Sequence, residues 1–483
     1  MTGEAAAPRP GAGSPLGAAL VCAGCGHRVA DGLAFAARCP AAVPGDDVDH
    51  VLRRVLDLGA LGFPTGGEPE TFVRYRTLLR AWHVARAAGW TDRRFADLAR
   101  RLDDAIAEVD GRGFRETPFE PSPALAAATG LGSGAVWVKD ETRNVSGSHK
   151  ARHLAGLMLE LLVADEVSPG SSGGTLAIAS CGNAALAAAV VARAARRQLE
   201  VFVPVWADAA VVARLRDLGA HVVACPRVPG EPGDPTFRRL RAAVASGAVP
   251  FTCQGSESGL AIEGGQTLGD EMVARLARTA ADGPAVALDA VVVQVGGGAL
   301  ASAVAAAFAE ARALGAVGRE PRLYAVQAAG CAPLERAWRA VRARADEVGV
   351  PAALEHARRH RSAYMRPWEA EPESAAHGIL DDETYDWFAV VEAMARTGGD
   401  AVVVDEATVL EANDLGRAST RIDADHTGTA GLAGLLALAR SGLVRPDETV
   451  AVLFTGARRH DGRDEAPAGA PGATWRPGER SAP

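Results

Sequence analysis

The sequence predicts an α/β protein, with a largely parallel sheet covered by helices on both faces. Short apolar runs at 176–179, 201–205, 222–224, 291–295, 323–326 and 450–454 have the length and composition of buried strands. Most are followed by an Ala-rich amphipathic stretch of helix length, the alternation that a parallel sheet requires for its crossovers. Polar turns, most of them bearing glycine, stand at strand ends and helix starts, where open sheets of this kind place their ligands.

The chain has 483 residues, room for two or three domains, and its 48% hydrophobic and 23% charged content is that of a soluble globular protein. A net charge of −8, without any long basic run, argues against nucleic acid or an anionic membrane as partner. The first twenty residues lack a charged start followed by an apolar core, so no signal peptide is expected. The most apolar long window, 175–194, is mostly Ala and contains Asn183, which reads as a buried helix and not a membrane span. Seven cysteines scattered over the chain do not resemble a disulfide framework, and a cytoplasmic location is expected.

From the N-terminus, residues 1 to about 19 are rich in Ala, Gly and Pro and are expected to be disordered. Cys22-Ala-Gly-Cys25-Gly26 follows, with Cys39 beyond it, and makes the 1–45 region end in a zinc-ribbon-like knuckle. The second cysteine pair of such a knuckle is here a single residue. Zinc on Cys22, Cys25 and Cys39 therefore needs a fourth ligand from His27, Asp46, Asp47 or His50, and a knuckle without metal is the alternative. Residues 46–115 read as a helical preface, with Val51, Leu52, Val55 and Leu56, then Leu98, Leu102, Ala105 and Ile106, at three- and four-residue spacings. The chemistry is expected in 116–463, and the Pro/Gly/Ala-rich 464–483 reads as a disordered tail.

Arginine and lysine together number 51, yet only Lys139 and Lys150 are lysines. Where arginine serves almost everywhere, a retained amine marks chemistry that a permanently protonated guanidinium cannot perform. Lys150 lies in Asn144-Val-Ser-Gly-Ser-His-Lys-Ala-Arg152, a polar turn running into an apolar helix. Lys139, in the strand-like Val136-Trp-Val-Lys-Asp140, lacks such a loop and reads as structural.

Gly296, Gly297, Gly298, Ala299 and Leu300 come directly after the apolar run 291–295 and open the next helix. Consecutive glycines at that turn let backbone N–H groups converge on an anion at the helix N-terminus. The spacing is neither a dinucleotide fingerprint nor a Walker loop, so a single phosphate is expected. Ser180, Cys181, Gly182 and Asn183 end another strand, where their backbone donors suit a carboxylate and the Asn183 side chain suits a ring oxygen. Thr455 and Gly456 end the last apolar run.

These residues resemble the tryptophan-synthase-β-like superfamily of pyridoxal-phosphate enzymes, fold type II. Ser146-Gly-Ser-His-Lys-Ala-Arg152 is similar to its Schiff-base motif, Ala179-Ser-Cys-Gly-Asn183 to its asparagine loop, Gly296-Gly-Gly-Ala-Leu300 to its phosphate loop, and Phe454-Thr-Gly456 to the strand end that meets the pyridine nitrogen. Within the superfamily the chain is most similar to threonine synthases, through the cysteine knuckle, Val326-Gln-Ala-Ala-Gly-Cys-Ala-Pro333 and Asp425-His-Thr-Gly-Thr-Ala-Gly-Leu-Ala433. It departs from them at His149, usually Phe, at Cys181, usually Thr or Ser, and in its long preface.

The resemblance implies three αβα layers with two open, mostly parallel sheets, a smaller subdomain at about 172–256, and a homodimer. It makes pyridoxal 5′-phosphate the cofactor, Lys150 its attachment point and the catalytic base, and the glycine loop its phosphate cradle. Asn183 and Thr455 meet the ring, and the Ser180 to Asn183 backbone meets the carboxylate of an amino-acid substrate. A threonine hydroxyl at the ring nitrogen weakens the electron sink and favours prompt loss of a β or γ substituent. The resemblance implies a lyase acting on an α-amino acid by elimination or replacement at Cβ or Cγ, threonine-synthase-like on phosphohomoserine, with Arg143, Arg152 and Arg458 as candidates for a second anion site; the alternatives are a serine/threonine dehydratase or diaminopropionate-type ammonia-lyase, and a low-turnover cofactor-binding regulator.

Overall fold

Strands with apolar residues on both faces need cover on both faces, and the chain provides it. The computed structural model describes residues 16–30, 35–132, 134–228, 234–282 and 286–459. Its strands are β1 (Ala18–Cys22), β2 (Leu52–Leu56), β3 (Phe119–Pro121), β4 (Val136–Asp140), β5 (Leu176–Ala179), β6 (Leu199–Pro204), β7 (His221–Cys225), β8 (Val249–Pro250), β9 (Ala290–Gln294), β10 (Arg322–Ala328), β11 (Asp400–Val404) and β12 (Val450–Phe454). One sheet has the order β11-β10-β9-β12-β4-β3, parallel except for β3 against β4, and a second, fully parallel sheet has the order β7-β6-β5-β8.

The period of two along each strand divides the larger sheet between two cores. Val291, Val293, Ala451 and Leu453 pack on one side, while Ala290, Val292, Val450 and Val452 pack on the other. The fold is therefore the expected α/β arrangement with helical layers around two open sheets. All six apolar runs read as strands are strands. The window 175–194 divides into β5 and the buried helix Asn183–Ala194, and among the described residues no helix is long and apolar enough to cross a membrane.

Two expectations need correction. The segment after Asp46 does not begin helical: Leu52–Leu56 pairs antiparallel with Ala18–Cys22. Apolar residues at Val51, Leu52, Val55 and Leu56 fit either period over so short a stretch, and a neighbouring strand with unpaired backbone groups decides between them. The same pairing orders Ala18 and Ala19, which are buried, against the expected disorder to about residue 19. The expected disorder of 1–15 and of the 464–483 tail falls outside the described residues. Helices Arg80–Ala87 and Asp92–Asp110 do occupy the later part of the preface. The second starts at Thr91, whose hydroxyl accepts from the Arg94 N–H at 3.1 Å, and ends at Gly111 with φ 80°.

Candidate active site

β4, β9 and β12 are parallel neighbours, so their carboxyl ends deliver three loops to one edge of the sheet. From β4 the chain turns through Ser146 (φ 56°) and Gly147 (φ 69°) before helix Lys150–Val167 begins. Asn144 shapes that turn, accepting from the Val145 N–H at 2.8 Å through its side-chain oxygen and donating to Glu141 at 2.8 Å. From β12, Thr455 and Gly456 lie against the same turn. The His149 N–H donates to the Thr455 carbonyl at 3.1 Å, and Ala457 N–H to the Gly147 carbonyl at 2.8 Å. The structure thus joins His149, the residue before Lys150, to Thr455, 306 positions away in sequence.

Asn183 arrives from the smaller sheet. A Cβ added to Gly456 would sit 3.0 Å from Asn183 Nδ2, and Arg459 donates to the Asn183 side-chain oxygen. Ser180, Cys181 and Gly182 form the half-buried turn before it, closed by the Gly182 N–H on the Ser180 hydroxyl at 3.4 Å. From β9 come Gly296 to Gly298, then helix Ala299–Ala313. Gly298 has φ 92°, a left-handed conformation that a side chain would strain.

Lys150 is half-buried at its helix start; its backbone carbonyl accepts from the Cys253 thiol at 3.8 Å, while its amine makes no hydrogen bond or ion pair among the described residues. Around it the buried Ser146 hydroxyl, Ser148 hydroxyl and His149 Nε2 also lack partners among the described residues. Burial and the Lys150 charge both hold His149 well below its ordinary pKa, so it is a neutral imidazole.

A model of the family described as pyridoxal-phosphate dependent enzyme matches residues 112–456. The chain belongs to this family. Solved structures share its fold: maize serine racemase (19% identity, TM-score 0.53, 75% of this chain and 94% of that one), diaminopropionate ammonia-lyase from Escherichia coli (18%, 0.54, 75% and 88%) and threonine deaminase isoform 2 from Solanum lycopersicum (16%, 0.53, 77% and 91%). No curated protein matches the sequence.

The family's cofactor is pyridoxal 5′-phosphate, and the residues present fit it. An amine without a partner, three buried polar atoms without partners beside it, and a glycine turn at a helix N-terminus are what an aldehyde-bearing phosphate requires.

Several site residues escaped the sequence reading. Gln294, the residue of β9 two before the glycines, donates from Nε2 to the Thr455 hydroxyl oxygen at 2.8 Å and to the Gly428 carbonyl at 2.9 Å. Its signal was visible: a lone amide in Val291-Val-Val-Gln-Val295. Asp425 caps helix His426–Arg440 through the Gly428 N–H and reaches within 3.3 Å of a Cβ placed on Gly456. Asp381 lies on the glycine loop, where its carboxylate accepts from the Gly297 N–H and a Cβ on Gly296 would come within 2.5 Å of Oδ2. Asp386 accepts from the Gly255 N–H at 3.2 Å and donates its own N–H to the Gly297 carbonyl at 2.8 Å. An acidic run such as Asp381-Asp-Glu-Thr-Tyr-Asp386 ordinarily reads as a solvated surface, which is why it gave no signal.

Burial pushes the Asp381 carboxyl up to about 6, while Lys150 and the Gly297 N–H pull it down, and Asp382 and Asp234 push further upward. Ionised, it would oppose a phosphate on the same loop; that opposition would be nearly complete from about one pH unit above 6, half present at pH 6, and lost as pH falls below it. Asp381→Asn is expected to bind the cofactor about tenfold more tightly than wild type at pH 8, with the gap closing near pH 5, as read by titration. Equal affinities at pH 8 would remove Asp381 from the phosphate's surroundings. Gly297→Asp is expected to have the opposite effect, weakening cofactor binding tenfold or more, because its side chain adds charge and meets the Tyr385 ring at 3.0 Å.

The arginines considered for a second anion site do not converge. Arg152 is fully buried, paired with Glu141 (2.8 Å) and Glu271 (2.8 Å), and is committed to them. Arg143 is exposed, with Asp140 at 3.9 Å as its nearest ion-pair partner. Arg458 lies near the site strand, its N–H donating to the Asp423 carbonyl at 2.9 Å.

Proposed function

We propose that this enzyme is a lyase that removes a β substituent from an α-amino acid, an ammonia-lyase or dehydratase acting on serine, threonine or a diamino acid. The observation that carries this reading is the charge around Lys150. Arg152 is neutralised by two glutamates, whereas Asp381 and Asp386 are close enough to feel the Lys150 charge. Although Arg459 adds a cation at Asn183 and burial pushes Asp386 up to about 7, carboxylates beside Lys150 disfavour a substrate carrying a second phosphate there, such as phosphohomoserine, and favour one with a neutral or cationic β group. Two of the structural relatives, named as a threonine deaminase and a diaminopropionate ammonia-lyase, share the fold.

When bound, pyridoxal phosphate supplies an electron sink for charge developing at Cα. The chain's own residues do the rest. Lys150 anchors the cofactor and, once displaced, moves the Cα proton through an amine held beside it. The glycine loop, Gly296 to Leu300, would offer N–H groups to the phosphate, and the Asn183 side chain would hydrogen-bond the ring oxygen. Backbone donors of Ser180 to Asn183 orient the substrate carboxylate. Because Gln294 donates to the Thr455 hydroxyl, that hydroxyl keeps its own proton and would offer it to the ring nitrogen as a neutral donor, which would not force protonation there and would favour prompt elimination. The same reading takes the enzyme to be a cytoplasmic homodimer.

The test is a substrate panel. Keto-acid formation from serine, threonine or diaminopropionate is expected, with the diamino acid preferred. Stoichiometric phosphate release from phosphohomoserine, without keto acid from the others, would replace this reading with the threonine-synthase-like one.

A further inference from the structure

The knuckle at the start of the chain closes on itself in a way that its cysteine spacing left open. Cys22 ends β1, Cys25 stands in the following turn, Cys39 returns to them, and His50 comes two residues before β2. The three Sγ atoms and a His50 ring nitrogen all lie within 4.8 Å of one another. Cys22 Sγ is 3.4 Å from His50 Nδ1, and Cys25 Sγ is 3.7 Å from Cys39 Sγ. A tetrahedral zinc ion, with Zn–S of about 2.3 Å and Zn–N of about 2.0 Å, holds its ligand atoms about 3.5–3.8 Å apart. A disulfide would need its sulfurs at about 2.05 Å.

Two further contacts have the form of a metal site. The Cys25 N–H points at Cys22 Sγ (3.5 Å) and the His27 N–H at Cys25 Sγ (3.4 Å), donors that suit thiolates. His50 Nε2 is 2.9 Å from Asp46 Oδ2, so the carboxylate keeps the proton on Nε2 and turns the Nδ1 lone pair toward the sulfurs. His27 and Asp47 are excluded as the fourth ligand: Asp47 accepts from the Ser362 N–H at 2.8 Å, and the His27 ring is not part of the group.

We propose that Cys22, Cys25, Cys39 and His50 bind one structural zinc ion, with Asp46 orienting the histidine. The knuckle is not an isolated appendage. Asp49 pairs with Arg361 at 3.3 Å, Arg361 pairs with Glu383 at 2.5 Å, and Glu383 belongs to the acidic run lying on the glycine loop. Arg38 pairs with Glu257 at 2.5 Å on the opposite side. Closing the knuckle therefore also fixes segments that border the active site.

The full-length protein, purified under reducing conditions from zinc-supplemented medium, is expected to contain about one zinc per chain. Cobalt exchanged into it should show thiolate charge-transfer bands and the visible d–d bands of a tetrahedral site. His50→Cys should keep the metal, His50→Ala should lose it, and Asp46→Asn should weaken binding roughly 10- to 100-fold. Less than about a tenth of an equivalent of zinc, cobalt without charge transfer, or a Cys25–Cys39 disulfide in the freshly purified protein would each overturn the proposal. So would His50→Ala retaining full zinc with unchanged affinity. These readouts need no turnover, so they stand independently of the substrate panel.

Discussion

Lys150→Ala is expected to purify without the visible absorption of lysine-bound cofactor and to lose turnover by roughly 10²–10⁴-fold, the range for removing a positioned general base. Lys150 combines a helix-start position, a polar turn and an amine with no partner among the described residues. Lys139 is the internal control. It is fully buried, donating to the Glu271 carboxylate at 2.6 Å and to the Thr117 carbonyl at 2.9 Å. Lys139→Met should keep the absorption while lowering stability, because it leaves Glu271 with one cationic partner fewer. A Lys150→Ala protein with both the absorption and normal turnover would sink the assignment.

Glu271→Ala is expected to destabilise the fold by about 3–5 kcal/mol, the cost of leaving buried charge uncompensated. Glu271 lies at the centre of a balanced cluster with Glu141, Arg152 and Lys139, in which Arg152 donates to both carboxylates at 2.8–2.9 Å. Burial alone would raise the Glu271 carboxyl, but Arg152 and Lys139 outweigh it and hold it down at about 2. Its folded-state pKa being depressed, its contribution to stability is complete above about pH 4.5 and is lost as pH falls toward 2. Arg152 stands two residues after Lys150 on one helix, and Glu141 also fixes Asn144 in the preceding turn. Cofactor affinity should therefore fall together with the denaturation midpoint. A Glu271→Ala variant with an unchanged midpoint would show that the cluster contributes nothing net.

How much of this was legible depended on whether the signal was local. The strand Ala290–Gln294 advertises itself, since the apolar run 291–295, bounded by glycine, has few alternatives. That the glycine turn, Asn183 and Thr455 stand at strand ends and helix starts was legible, because the apolar runs before them mark the strands. β2 was not, because its identity depends on β1, whose paired residues come 30 to 38 positions earlier in the chain. Arg152 was misread as an anion-site candidate for the same reason: its partners Glu141 and Glu271 come from another loop and a distant helix, and nothing in the local sequence says that its charge is already taken. Asp381 was hidden in an acidic run that looks like surface. Gln294 could have been found, since an amide in an otherwise apolar buried strand must hydrogen-bond to something.

The most direct measurement exploits the presence of only two lysines. Borohydride reduction of the native holoenzyme fixes the cofactor to whichever amine carries it, and peptide mass mapping then locates the adduct. The expected result is a single modified peptide containing Lys150, with the Lys139 peptide unmodified. An adduct on Lys139, or a reduced protein carrying no cofactor on either lysine, would contradict the site described for this enzyme.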